Sequence, residues 1–471
     1  MTPLPRLHIL SPIMIKDMTT GTALKLILLF SLPILLGNVF QQLYQLADIF
    51  IVGRLLGENA LAAVGASAPI YFMFLIIAFS FTGGLTAVTA QRFGAGDNDG
   101  VRRSVTHSIR VSLILSIGLT ILLIIILKPL MHILNVPQSI FTDSYHFILI
   151  LSAAMVLIVA FNLLSGFIRA LGDSRTPLFF LILSTVLNIL FNYVLIKYAK
   201  LGVIGSALGT LIAIAVSVAC CIWYIRKYYP ILRLKKEDWH YSPAFMREHL
   251  RIAIPMSIQF SVLSLSIMVI QAVSNSFGET VIVGLTISLR IEQLATQPLM
   301  AIGLAMATFA AQNYGAGKIS RIRAAVRQCT AVSFVISVAM SAIVFFFGRR
   351  LIGSFLENPN PAAVTVGMSY LAISIMFYFF LGVIFIFKNT LQSMGKPFYP
   401  VISGFIELGI RSYAAIYLAS KIGYKGIYYA SPLAWVGGAT VVVLGYYLKV
   451  YRMSEKDLKA EYRALYRNMK K

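Results

Sequence analysis

Charge is scarce in this chain, and negative charge scarcer still. Of 471 residues only 12% are charged, with 17 carboxylates against 40 lysines and arginines. A soluble domain carries about a quarter charged residues, so a water-facing globular surface is excluded. Cysteine is nearly missing. Cys220, Cys221 and Cys329 are too few for a disulfide framework and lie in or near apolar segments, as small core residues do. The six histidines, His8, His107, His132, His146, His240 and His249, lack the spacing of metal ligands. No nucleophile elbow, HExxH pair or Rossmann fingerprint occurs, so nothing points to an enzyme. Between Met1 and Asp17 the only basic residues are Arg6 and Lys16, and no small-residue cleavage site follows. That is unlike a removable signal, so the first apolar run is expected to stay in the protein.

What the chain has in abundance is apolar length. Hydrophobic residues make up 58% of it, and the mean hydropathy is +0.82. Windows of about 20 apolar residues, punctuated by Gly, Pro and charge, predict twelve membrane-spanning helices. Their expected limits are 23–51, 60–90, 105–127, 143–168, 176–198, 204–225, 249–275, 281–311, 326–347, 364–388, 397–419 and 426–448. Such runs are too long and too continuous for barrel strands, so the fold class is all-α and polytopic.

The net charge of +23 invites a nucleic-acid reading, but the basic residues stand between apolar runs rather than in a patch on a polar domain. Placing the N-terminus in the cytoplasm puts about 30 of the 40 on that side, as the positive-inside rule demands. The largest clusters are the central loop (Arg226, Lys227, Arg233, Lys235, Lys236, Arg247, Arg251) and the tail. Both face anionic headgroups in this orientation. The expected organisation is a cytoplasmic segment 1–22, a first six-helix bundle 23–227, a linker 228–246, a second bundle 247–448 and a basic tail 449–471. Both termini are expected in the cytoplasm, and the chain is expected to work as a monomer in the plasma (inner) membrane.

The two bundles are copies. Pro33 recurs as Pro255, 222 residues later, and Gly57-Glu58 recurs as Gly278-Glu279 at 221. Gln91-Arg92-Phe93-Gly94-Ala95-Gly96 recurs as Gln312-Asn313-Tyr314-Gly315-Ala316-Gly317 at 221, and Gly172 as Gly395 at 223. An even number of spans per copy gives both the same orientation, and such pairs hold a path at their interface. Gly315-Ala316-Gly317-Lys318 superficially resembles a phosphate loop. Ile319 follows where Ser or Thr is required, and Gln312 replaces the upstream Gly, so a helix-ending turn fits better.

Of the acidic residues only Asp48, Glu292 and Glu407 fall clearly inside spans. A carboxylate at the helix centre costs about 2.5–3.5 kcal/mol on insertion scales, so each needs a partner, a proton or a cavity. At 100° per residue Asn38, Gln41, Gln45 and Asp48 share an arc of about 80° on the first span, with Tyr44 beside them. Ser184, Asn188 and Asn192 make a second polar stripe on the fifth, and Asn162 and Thr210 could complete a pocket. In the second copy Glu407 and Arg411 have the spacing of an intrahelical ion pair. Arg290 and Glu292 point about 200° apart and need separate partners.

In order and spacing these features resemble the MATE (multidrug and toxic compound extrusion) family along essentially the whole chain. The resemblance rests on twelve spans, the repeat, Asp48 before Val52-Gly53, the two Gly-Ala-Gly turns, and Arg169-Ala170-Leu171-Gly172 before the fifth span. It implies a V-shaped antiporter that exports organic, often cationic and amphipathic compounds against inward H+ or Na+. It also implies that Asp48 and Tyr44 are the first-helix carboxylate and its companion, and that Asn188 is a fifth-helix polar position. Asn192 stands where many proton-linked members carry aspartate. Leu263 stands about where sodium-linked members of one branch carry glutamate. The resemblance therefore leans to the bacterial DinF/MepA-like branch, with H+ in preference to Na+. A lipid-linked saccharide flippase of the same superfamily is the alternative, with Arg290 and Arg411 as its cationic candidates.

Overall fold

The computed structural model describes residues 16–134, 136–355, 360–458 and 460–461. Residues 1–15 and 462–471 of the expected terminal segments lie outside the described residues. Among the described residues the chain is helical, with no strand. The first half runs α1 (Ala23–Leu56), α2 (Glu58–Gly94), α3 (Asn98–Ile133), α4 (Gln138–Ala153), α5 (Met155–Ala170), α6 (Arg175–Lys197) and α7 (Gly202–Tyr228). The second half runs α8 (Pro243–Asn275), α9 (Glu279–Gly315), α10 (Ile319–Ser354), α11 (Pro361–Ser374), α12 (Tyr378–Ser393), α13 (Phe398–Tyr413), α14 (Ala419–Ile422) and α15 (Ala430–Tyr446).

These helices are too apolar on the outside for water. In α10 only 22% of the most apolar stretch is buried against protein, and Phe345, Phe346 and Phe347 are all exposed. In lipid such a face is at home, and the helix satisfies its own backbone. The central α9 has 67% of its stretch covered. Four of the predicted spans have another form. The fourth is α4 and α5, bent by 44°. The tenth is α11 and α12, joined by a 3-10 turn at Ile375–Phe377. The last two form one helical run, Phe398–Tyr451. A side chain on Gly437 would meet Ile410, one on Gly438 would meet Glu407 and one on Gly445 would meet Tyr399. The partner number falls as the glycine number rises, so the run folds back as an antiparallel hairpin. It turns at Gly423, whose φ of 68° is left-handed. Ten apolar helices, the bent pair and this reversal account for the twelve predicted crossings.

The repeat is carried by the backbone as well. The positive-φ glycines pair as Gly57 with Gly278, Gly96 with Gly317, Gly172 with Gly395 and Gly202 with Gly423. The two halves exchange the ends of one helix each. Leu26, Ile27, Phe30 and Ile34 of α1 join the core formed by α9, α10 and α12, whereas Val52 at the other end packs with Phe147 and Ala207 of the first half. In the second half Ala253 of α8 packs with Phe81, Leu85 and Val101, and Ile270 returns to its own core. Pro33 and Pro255 lie within these helices, between the ends that pack on different halves. Proline removes an intrahelical bond there and lets the helix bend.

The halves meet tightly at the end that carries the Gly-Ala-Gly turns. The Gln91 amide donates to the Ser393 carbonyl (2.6 Å), and the Gln312 amide donates to the Ala170 carbonyl (2.8 Å). Donors and acceptors are repeat equivalents, so the pair of bonds follows the pseudo-twofold axis. A Cβ on Gly94 would stand 1.9 Å from the Gln312 carbonyl oxygen, and one on Gly315 would stand 1.9 Å from that of Gln91. Only glycine allows this approach of backbones. The segment before α1 crosses both halves: Lys16 N donates to Leu171 O (3.2 Å) and Met18 N to Gln312 Oε1 (2.9 Å). The linker docks on the first half. Arg102 Nε lies 3.1 Å from Asp238, Thr106 donates to the Asp238 carbonyl (2.7 Å), and the Tyr229 hydroxyl donates to Asp173 (2.6 Å). Burial and the Asp173 carboxylate raise the Tyr229 phenol well above its ordinary value, so it remains a donor at physiological pH.

Candidate functional site

A polar cluster forms inside the first half where α1, α6 and α7 meet. Asn192 Nδ2 donates to Asp48 Oδ1 at 2.5 Å and to Asn188 Oδ1 at 3.1 Å. Ser206 Oγ donates to the same Asp48 oxygen at 3.2 Å. Asn188 Nδ2 donates to Thr210 Oγ1 at 2.8 Å, and Thr210 donates to the Ser206 carbonyl at 3.2 Å. Tyr44 interacts with Thr210 and lies within electrostatic reach of Asp48, and Tyr71 of α2 lies beside Tyr44. The four-residue spacing of Asn188 and Asn192 puts both amides on one face of α6. Gly209 makes room opposite: a Cβ there would stand 2.0 Å from Asn192 Oδ1. That Oδ1 is buried and has no hydrogen-bond partner among the described residues. An orphaned buried acceptor costs about 1–3 kcal/mol, so its persistence at a site asks for a reason.

The cluster gathers Asp48, Tyr44, Asn188, Asn192 and Thr210 as the sequence predicts, and it adds Ser206. The rest of the predicted stripe goes elsewhere. Asn38 Nδ2 donates across the interface to Gln297 Oε1 of α9 (2.9 Å). Gln41 and Gln45 share the Asp48 side of α1 but are exposed. Asn162 on α5 is half-buried and makes no hydrogen bond to the cluster. Ser206 escaped the sequence reading because a lone serine in an apolar helix is usually a packing residue.

In the second half the expected Glu407–Arg411 ion pair is replaced by bonds between helices. Lys388 Nζ of α12 lies 2.8 Å from Glu407 Oε1, and Ser403 donates to the same oxygen (3.0 Å). Arg411 Nη1 instead donates to Ser266 Oγ of α8 at 2.5 Å. Glu292 accepts from the Tyr370 hydroxyl of α11 (3.1 and 3.2 Å). Arg290 is exposed whereas Glu292 is buried, so the two neighbours do have separate surroundings. Lys388 was hidden because the predicted tenth span ended on it, whereas the helix continues to Ser393. Among the described residues no group of three or more His, Cys, Asp or Glu side chains gathers.

The arrangement can bind or release a small cation at one carboxylate, and it can separate two halves along an interface that closes at one end. Known proteins share this architecture. "Probable multidrug resistance protein YpnP" of Bacillus subtilis is 28% identical over 87% of this chain and 92% of its own length. "Multidrug export protein MepA" of Staphylococcus saprophyticus is 24% identical over 91% of this chain and 93% of its own. A solved structure titled "Outward-facing conformation of a multidrug resistance MATE family transporter of the MOP superfamily" superposes with a TM-score of 0.87. It is 22% identical and covers 93% of this chain and 98% of its own, which establishes the shared fold. The model of the MatE family matches twice, over residues 33–194 and 255–416, once on each copy of the repeat. The chain therefore belongs to the MatE family of multi-pass membrane transporters.

Proposed function

We propose that this protein exports organic, cationic and amphipathic compounds from the cell as an antiporter driven by inward H+. The observation that carries this reading is Asp48, a carboxylate set among three helices and held only by neutral donors. It has no ion-pair partner among the described residues. Left ionised at membrane depth it is costly, so a mobile cation must serve it. The Asn192 amide suits a proton. Half a turn of that amide presents its orphaned oxygen to a protonated Asp48, which then donates where it now accepts. The names of the relatives as multidrug exporters support drug-like cargo.

With the basic loops in the cytoplasm, the sealed end is the inner one, and the cycle is taken from a state open to the outside. Protonation of Asp48 there would weaken its hold on a cationic cargo and shift α1. Pivoting at Pro33 and Pro255 would then open the inner end, where deprotonation resets the cycle. Sodium is the alternative ion. A saccharide-lipid cargo asks for a cationic cavity, whereas Arg411 is held inside the second half by Ser266. The test is ethidium efflux by cells expressing Asp48→Asn at normal surface levels. Efflux should fall to background, and undiminished efflux would remove Asp48 from the mechanism. Dye export from proteoliposomes under separate pH and sodium gradients identifies the ion.

A further inference from the structure

The repeat allows the two buried sites to be compared position by position. Ser266 stands 222 residues after Tyr44, and Ile270 stands 222 after Asp48. On the facing helix Arg411 stands 223 after Asn188, and Glu407 stands 223 after Ser184. On the central helix Glu292 stands 221 after Tyr71. The equivalence holds in space. Tyr44 and Asn188 both reach Thr210 in the first half, and Ser266 and Arg411 bond directly in the second.

The copies differ in how their charge is balanced. The first holds one carboxylate and no cation. In the second, Arg411 and Lys388 accompany Glu292 and Glu407, and all four are at most 8% exposed. Lys388 is paired with Glu407. Arg411 lies within electrostatic reach of both Glu292 and Glu407. The other groups facing these charges are the neutral Ser266, Ser374, Ser403, Tyr370 and Tyr378. Formal charges therefore cancel in the second copy, and a further cation would leave an uncompensated positive charge away from water.

We infer that Arg411 and Lys388 act as tethered cations that fill the second-half copy of the ion site, so that each transport cycle exchanges a single coupling cation, at Asp48. This rests on the antiport reading above and adds its stoichiometry. One cation inward against one monovalent cargo outward moves no net charge. The same exchange against a divalent cargo moves one net charge outward.

The full-length protein in proteoliposomes tests this, with a fixed driving gradient of H+ or Na+ and the voltage clamped by potassium and valinomycin. Ethidium, a monovalent dye, should reach the same accumulation ratio at every voltage. The dication DAPI should change its ratio about tenfold for each roughly 60 mV. The reverse pattern, with ethidium voltage-dependent and DAPI indifferent, means two cations per cycle and overturns the inference while leaving antiport intact. Failure of both dyes to move under either gradient removes the antiport reading and this inference with it. Arg411→Gln should unmask Glu292 and make ethidium exchange voltage-driven in protein that still transports, an outcome a purely structural arginine would not produce. An Arg411→Gln protein whose ethidium exchange stays voltage-indifferent also counts against the tethered-cation role.

Discussion

Asp48 accepts from Asn192 and Ser206, and neither lies on its own helix. The carboxylate can therefore sense the packing of α1 against α6 and α7, and a proton on it alters that packing directly. Gly209 is the sharpest test of this geometry, because it touches the cluster without carrying a polar group. In Gly209→Ala the new Cβ would collide with Asn192 Oδ1 and turn the amide away from Asp48. Losing one such charge-assisted bond is worth about 1.5–3 kcal/mol, or roughly tenfold to a hundredfold in the equilibrium it supports. Dye transport is expected to fall by at least the lower figure at unchanged expression, and full activity would show that Asn192 does not govern Asp48. At this scale the sequence was readable where polar residues repeat on one helix face, as Asn188 and Asn192 do. It misled where it paired neighbours. Glu407 and Arg411 have the spacing to bond, but Lys388 and Ser266, each from another helix, take their places.

Among the elements, α1 and α8 matter most because each begins in one half and ends in the other. A rigid helix of that kind would tie the halves together, and the prolines within α1 and α8 supply the compliance. The Gly-Ala-Gly turns do a different job. They end α2 and α9, and they also let the two backbones meet. Gly315→Val should prevent that meeting, since its side chain would overlap the Gln91 carbonyl. The sealed end would then stay apart. The expected readout is labelling by a membrane-impermeant maleimide at Ala311→Cys, which is buried in the closed arrangement, in a background without the three native cysteines. Labelling in Gly315→Val and protection without it is the expected pattern, and equal protection would mean that the turns do not form the seal. In the sequence these turns read as helix ends, which they are. Their second role needed a neighbour that hydropathy does not reveal.

For the whole molecule, the swapped bonds Gln91 to Ser393 and Gln312 to Ala170 are the devices that hold one end shut. They satisfy two carbonyls at helix ends, and in the proposed cycle they would break together. Replacing both glutamines by leucine removes about 0.5–1.5 kcal/mol per bond. That shifts the balance of closed and open arrangements by roughly 5-fold to 150-fold. Accessibility at Ala311→Cys should rise accordingly while the fold's thermal stability changes little. A large loss of stability with unchanged accessibility would make the bonds structural rather than gating.

Much of this protein follows from its sequence alone. Scarce charge and recurring apolar runs dictate helices in lipid, because runs so long and continuous satisfy their backbone there only as helices. A spacing of 221 to 223 residues dictates two like-oriented copies, and a carboxylate on a polar helix face marks one site. Tertiary structure decided the rest: the exchange of α1 and α8 between halves, the crossed glutamine bonds, and the partners of Glu407 and Arg411. Hydropathy and spacing act along the chain. Those contacts join different helices, some of them hundreds of residues apart, through shape and through charges that must cancel locally once water is gone.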